Sequence, residues 1–462
     1  MNKETRLVKV DTLRGISVLA VLLFHFQLLG FDYGYLGVDI FFVVSGYILT
    51  LIYGKKISNF RDLYSFYARR LRRLLPLLSL VTTFTVFASA VYFIPTHLLN
   101  TAKHSIGAVT FTSNILFWRE TNYFDIASHY KPLLHTWSLG LEFQYYICAG
   151  IFWLVVGKIT KSKLLPLIII LTLLTGISLL GSFYFEDRVN FNFFMLPFRG
   201  WQFGFGMLMA LAVSRTNFEA TVSATVTDVF ALGALILVFV GFTFLEHSSV
   251  ALQFTSCSLA ASYLLLRSDN SNSQFSKILS SVGTASYPIY LVHWPIFVIY
   301  TYAVFRETTT IERWALLLIS VLLGFILSAM YEKNSVLKFS KVHLSRSRFY
   351  SAFSAIILFL GAGISIYAMY SEGLPGRFEK SKRQMLASIF DEHNVILTRY
   401  QVHKGTVPTS NPTTNVSGGV CVFDPSSELV ASLENQENSR ETCIENMIRA
   451  TPINKSWFII KR

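Results

Sequence analysis

The chain has 462 residues, of which 52% are hydrophobic and only 15% charged, with a mean hydropathy of +0.47. A soluble fold cannot hide that much apolar surface, and several runs approach the roughly 20 residues a helix needs to cross a bilayer. The formal net charge of +13 gathers in short loops between apolar runs, which orients a membrane protein by the positive-inside rule and excludes nucleic acid as a partner.

The apolar runs predict an all-α polytopic membrane protein. About eleven spanning helices are expected, near 15–31, 37–53, 74–94, 137–157, 164–181, 195–213, 228–245, 249–266, 287–304, 312–330 and 351–370. Met1 to Arg14 reads as the start of a retained helix, because Arg14 and His25 interrupt the apolar run and no small-residue cleavage site follows. With a cytoplasmic N-terminus, the basic clusters Lys3 to Lys9, Lys55 to Arg73, Lys158 to Lys163 and Lys333 to Arg348 all fall on one side. Ile94 to Thr136 is then external, and Ser105 to Trp118 within it reads as a re-entrant or interfacial helix.

Taken in chain order, ionisable residues inside these runs are functional candidates, since a charge at bilayer depth is costly. Arg14 and His25 are eleven residues apart on the first helix, a spacing that returns to nearly the same face. Asp11 can pair with Arg14 at i,i+3. Asp39 opens the second helix about level with His25, where a carboxylate could orient the imidazole. Arg70 and Arg73 form an i,i+3 fork suited to phosphate. His135, Ser138 and Glu142 can share one face of the fourth helix; Arg199 opens the sixth, and His293 lies between two prolines of the ninth. A snorkelling arginine explains Arg14 alone, a helix cap Asp39, and a topology anchor Arg70 with Arg73. Two histidines, two carboxylates and several arginines in one bundle exceed what packing needs. A metal is not expected, because His104, His129 and His135 lack ligand spacing.

Residues 371–420 read as an extracytoplasmic linker, Pro/Thr/Asn/Ser-rich from Thr406 to Gly419, and 421–462 as the start of a further domain. Cys148 and Cys257 lie in apolar runs and read as inert packing. Cys421 and Cys443, in an exported tail, are expected to pair.

Over residues 8–370 the chain resembles the membrane acyltransferase-3 family, of the O-antigen and peptidoglycan O-acetylase type. The resemblance rests on an ordered set of motifs: Asp11-x-x-Arg14-Gly15, Arg14-x10-His25, Gly37-Val38-Asp39-x-Phe41-Phe42-x-x-Ser45-Gly46, Arg70-x-x-Arg73-x-x-Pro76, Leu134 to Gln144, and Ser286-Tyr287-x-x-Tyr290-Leu291-x-His293-Trp294-Pro295. It implies a transmembrane domain over 1–370 in a bacterial inner membrane, with a periplasmic tail. It also implies an O-acyltransferase, expected to be an O-acetyltransferase, that moves an acyl group from cytoplasmic acetyl-CoA to a cell-envelope glycan such as lipopolysaccharide O-antigen. Acyl-CoA is then a donor substrate, and no cofactor is permanently bound. By the same resemblance His25 matches the essential histidine, Arg14 the arginine of its motif, and Arg70 with Arg73 the donor-binding pair. His25, oriented by a carboxylate such as Asp39, serves as general base or acyl relay, and Glu142 joins the catalytic set. Ser45, Trp137, Ser138, Arg199, Tyr290 and His293 line the acyl path or acceptor site. Two departures stand out. The family's Glu-Glu-Gln is Glu142-Phe143-Gln144 here, and its Trp-Glu after the helix-six arginine is Trp201-Gln202. The tail resembles the opening of an SGNH hydrolase-like domain without the Gly-Asp-Ser nucleophile motif, which suggests a truncated product. The alternatives are an inactive truncated relative and a secondary transporter.

Overall fold

The computed structural model describes residues 3–54, 56–120, 130–160, 163–216, 220–222, 233, 249–268, 274–304, 306–336 and 344–374. Contacts divide the chain into Met1–Gly373 and Leu374–Arg462. The second unit beyond Leu374, with the Cys421–Cys443 pairing and the hydrolase-like start, lies outside the described residues, as does the span expected at 228–245 apart from Gly233.

The first unit runs α1 Lys3–His25, α2 Gly37–Tyr53, α3 Phe60–Tyr92, α4 Pro95–Val109, α5 Ser113–Glu120, α6 Trp137–Ile159, α7 Leu164–Tyr184, α8 Val189–Phe194 and α9 Leu196–Thr216. It continues with α10 Ser249–Leu265, α11 Gln274–Thr284, α12 Ser286–Val304, α13 Thr310–Val336 and α14 Leu344–Tyr370. Short 3-10 turns, Gly34–Leu36 and Leu134–Thr136, lead into α2 and α6. The helical expectation needs one correction: β1 Ala220–Val222 and β2 Leu266–Ser268 form a short parallel pair.

Five helical stretches among the described residues are long and apolar enough to cross a bilayer: Gly34–Tyr53, Phe60–Tyr92, Leu134–Val156, Leu164–Tyr184 and Thr310–Met330. A sixth forms if Ser276–Thr284 and Ser286–Val304, bent by 69°, make one broken span. The chain is therefore a multi-pass helical membrane protein. Its layers differ in burial. The most apolar stretch of Gly34–Tyr53 is 67% buried, against 17% for Leu164–Tyr184 and 22% for Thr310–Met330. The outer helices turn Leu173, Ile177, Leu318 and Leu322 outward, as lipid-facing surfaces do. α1, α2, α9 and α10 share one apolar core around Leu13, Val43, Trp201 and Cys257.

Small residues set the closest crossings. A Cβ on Gly46 of α2 would collide with the Phe203 carbonyl of α9, and one on Gly206 of α9 with the Val43 carbonyl of α2. Gly15 of α1 and Gly283 of α11 make the equivalent approach, against Leu279 and Asp11 carbonyls. Helices inside a membrane gain little from apolar contact as such, so close backbone packing at small residues takes that role.

Several expected boundaries are corrected. The first helix ends at His25 rather than continuing to 31, because Gln27, Leu29 and Gly30 all take positive φ and reverse the chain. α3 begins at Phe60, fourteen residues before the expected 74. Asn59 caps it by accepting from Asp62 N at 3.0 Å, and Asp62 accepts in return from Ser58 N at 3.1 Å. The apolar run 105–118 is two helices, α4 and α5, separated at Phe111 (φ 57°). Cys257 is buried, but Cys148 is exposed on the bundle surface rather than packed.

Candidate active site

α2, α3, α6 and α12, with Arg14 of α1, line a cavity of about 760 Å³, open solvent at its mouth included. Arg14, Arg70 and Arg73 line it, together with Ser45, Ser138, Glu142, Tyr146 and Tyr290. Seven of the sequence candidates thus meet on one wall system: Arg14, Ser45, Arg70, Arg73, Ser138, Glu142 and Tyr290.

The arginines differ in their support. Arg14 Nη1 lies 3.5 Å from Asp11 Oδ1, the i,i+3 pair its spacing predicts. Arg70 is buried and donates from Nη2 to Tyr53 Oη at 3.1 Å. Its guanidinium sits over the rings of Tyr53, Phe66 and Tyr146, with ring centres 5.2, 5.9 and 5.8 Å away. This aromatic cage holds the charge by its π faces. Arg70 Nε makes no hydrogen bond among the described residues. Further along the cavity, Glu142 Oε1 accepts from Ser45 Oγ at 2.5 Å and from Tyr146 Oη. Ser138 Oγ and Tyr290 Oη are 2.8 Å apart, and Tyr290 Oη also donates to the His135 carbonyl at 3.0 Å.

His25, Asp39, Trp137, Arg199 and His293 are not among the residues lining that cavity; they form two buried clusters. In the first, Asp39 Oδ1 accepts from Arg199 Nη1 and from Gln202 Nε2, both at 2.6 Å. Arg199 also donates to the Phe193 carbonyl and lies over the Trp137 and Phe193 rings at 5.9 and 4.7 Å. The expectation that Asp39 orients His25 is thereby corrected. The Arg199 guanidinium and the Gln202 amide, from the first two turns of α9, engage the carboxylate, because α2 packs against α9 here.

In the second cluster, His25 Nδ1 and His293 Nε2 are 2.8 Å apart, and His293 Nδ1 is 2.6 Å from the Tyr290 carbonyl. The Trp294 ring lies 4.7 Å from His25, and its Nε1 donates to the Lys131 carbonyl at 2.9 Å. His135 stands beside this pair, 5.6 Å from His293 between ring centres, with Nε2 donating to the Leu291 carbonyl at 3.1 Å. The Pro288 and Pro295 segment therefore delivers Tyr290, His293 and Trp294 to the end of α1.

The sequence reading missed Tyr53 and Tyr146. Tyr146 was open to discovery, lying i,i+4 from Glu142 on the same face. Tyr53 sits at the far end of α2, and no spacing rule links it to Arg70.

One multi-pass helical bundle thus holds an arginine-lined cavity and a buried histidine pair, an arrangement suited to a polar or anionic ligand. The chain belongs to the acyltransferase family, whose domain model matches residues 7–332. It is similar to OatA, a peptidoglycan O-acetyltransferase of Listeria monocytogenes: 28% identical over 323 residues, covering 63% of this chain and 49% of OatA. It is also similar to YrhL of Bacillus subtilis, provisionally named a peptidoglycan O-acetyltransferase, at 30% identity over 318 residues, with the same coverage of 63% and 49%. A Staphylococcus aureus protein provisionally named an O-acetyltransferase is 34% identical over 144 residues, 30% of this chain and 23% of that one. The chain spans about half the length of the first two. No solved structure matches it.

Proposed function

We propose that this protein is a membrane O-acyltransferase that moves an acetyl group from cytoplasmic acetyl-CoA to a hydroxyl of a cell-envelope glycan. The observation that carries the reading is the cavity that gathers Arg14, Arg70 and Arg73 with Glu142, Ser45, Ser138 and Tyr290. Guanidinium groups match phosphate geometry, and Arg70, with its Nε unbonded, has donor capacity to spare. The donor's phosphates bind at this arginine end, on the cytoplasmic side where the basic loops lie. Arg14 and His25 are about 16 Å apart along α1, at roughly 1.5 Å rise per residue. An extended phosphopantetheine arm covers a distance of that order.

His25 acts as general base. Its unprotonated nitrogen accepts the proton of the glycan hydroxyl as the oxygen attacks the thioester carbonyl. Collapse of the tetrahedral intermediate expels the thiolate of coenzyme A and leaves the acetyl ester on the sugar. The enzyme sits in the bacterial inner membrane with the N-terminus cytoplasmic, and eleven spans carry residue 371 onward to the outside. Both peptidoglycan, for which the relatives OatA and YrhL are named, and lipopolysaccharide O-antigen present suitable hydroxyls.

The test is the base-labile acetyl content of peptidoglycan and of lipopolysaccharide, each isolated from cells expressing the full chain or its His25→Ala variant. A histidine-dependent gain in one glycan is expected, falling about 10²-fold or more in the variant as loss of a general base does. Equal ester content in the two strains would refute the assignment.

A further inference from the structure

The buried histidine pair fixes more than proximity. A backbone carbonyl only accepts hydrogen bonds, so the 2.6 Å contact between His293 Nδ1 and the Tyr290 carbonyl requires a proton on Nδ1. His293 is wholly buried, and its two nitrogens face a carbonyl and another imidazole. A second proton would place a cation in the apolar bundle with no carboxylate beside it among the described residues, which is costly. Neutral His293 therefore offers a lone pair at Nε2.

That lone pair points at His25. The two rings are inclined by only 12°, with centres 5.0 Å apart. The 2.8 Å between nitrogens, extended by about 1.2 Å from each nitrogen to its ring centre for five-membered rings with partial double bonds, accounts for that separation. The rings are thus nearly coplanar and meet edge to edge, the geometry of a linear N–H···N bond rather than of a face-to-face stack. His135 does not compete for this position, since its Nε2 proton goes to the Leu291 carbonyl.

We propose that His293, tethered to the Tyr290 carbonyl, keeps the ring proton of His25 on Nδ1. His293 is a positioning residue in this role. The consequence for catalysis rests on the acyl-transfer reading above; the tautomer does not. An isolated imidazole in water prefers the opposite tautomer by a small margin, so the arrangement has to be imposed by the fold.

The test uses the full chain with ¹⁵N-labelled histidine in lipid nanodiscs, where nitrogen chemical shifts separate protonated from unprotonated ring nitrogens. The His25 signals are assigned by their loss in His25→Ala. His25 and His293 are both expected to carry the proton on Nδ1. His293→Leu, which removes the acceptor, should shift His25 toward the Nε2-protonated form and lower kcat about tenfold or more, with KM for acetyl-CoA unchanged. His293→Gln, whose amide oxygen can take the place of Nε2, should restore most of both. Wild-type His25 protonated on Nε2 would overturn the proposal, as would a His25 tautomer indifferent to His293→Leu. The wild-type spectrum needs neither activity nor a variant of His293. A correct tautomer in a protein that forms no ester would overturn the acyl-transfer reading and leave this inference standing.

Discussion

Gln202 shows how one side chain settles a local charge balance. It and Arg199 both donate to the same oxygen of Asp39. A glutamate at 202 would place a second carboxylate there with one guanidinium to answer both. The amide leaves a neutral cluster of one anion, one cation and one donor, buried where an unpaired charge would cost several kcal/mol. Outside the spans, His97 of α4 makes a different residue-scale case. Burial pushes its imidazole down from 6.5 to about 4, while Nδ1 lies 3.1 Å from Tyr302 Oη and the ring stacks on Tyr130. The folded state holds His97 neutral where the unfolded chain would protonate it. Its contribution is therefore fully present above pH 6.5 and is lost as pH falls through about 4. The thermal midpoint in detergent should drop on acidification across that window, and less steeply in His97→Gln. Parallel curves for the two proteins would sink the assignment. Burial lowers His104 as well, so the variant removes only part of the slope.

At the scale of elements, the bundle depends on where backbones can touch. The Gly46 and Gly206 crossing brings α2 and α9 together at their carbonyls, and it is this contact that lets Arg199 reach Asp39. A side chain there meets backbone, which cannot swing aside. Gly46→Leu should therefore lower stability by about 2 kcal/mol or more, in the range of core overpacking, and reduce the yield of folded protein. Gly363→Ala, on α14 where nothing lies within 4 Å of the added carbon, should hold or raise the thermal midpoint, since alanine favours the helix over glycine. A Gly46→Leu protein as stable as the wild type would mean that α2 and α9 do not cross there. The early start of α3 follows similar local logic. The bonds from Asp62 N to Asn59 and from Ser58 N to Asp62 begin the helix before the lipid-facing run, so Arg70 and Arg73 are delivered on a rigid helical turn instead of a loop.

For the molecule as a whole, apolar residues outside and polar groups inside divide the helices into two kinds. α7 and α13 are apolar on most sides and exposed, whereas α1 and α9 carry arginine or histidine and are enclosed by neighbours. The proposed orientation rests on the loop charges. In a cysteine-free background, Lys56→Cys should react with an impermeant thiol reagent only from the cytoplasmic side, and Glu307→Cys only from outside. Both positions are exposed, so accessibility itself does not limit labelling. Reaction of both from one side would reverse the proposed arrangement.

The sequence by itself determined the helical, membrane-spanning class of fold and the identities of the polar residues, because hydropathy, period and loop charge are local properties. It placed α2 at 37–53 as observed. It also named Arg14, Ser45, Arg70, Arg73, Ser138, Glu142 and Tyr290, which share the cavity. Partnership was decided only in three dimensions. Asp39 and His25 lie on successive helices, yet each bonds to a residue more than 150 positions away, Arg199 and His293. Helical period fixes which face a side chain occupies. Which helix packs against that face depends on close crossings at glycine and on the bend between α11 and α12, and neither is encoded in the spacing of the residues that meet.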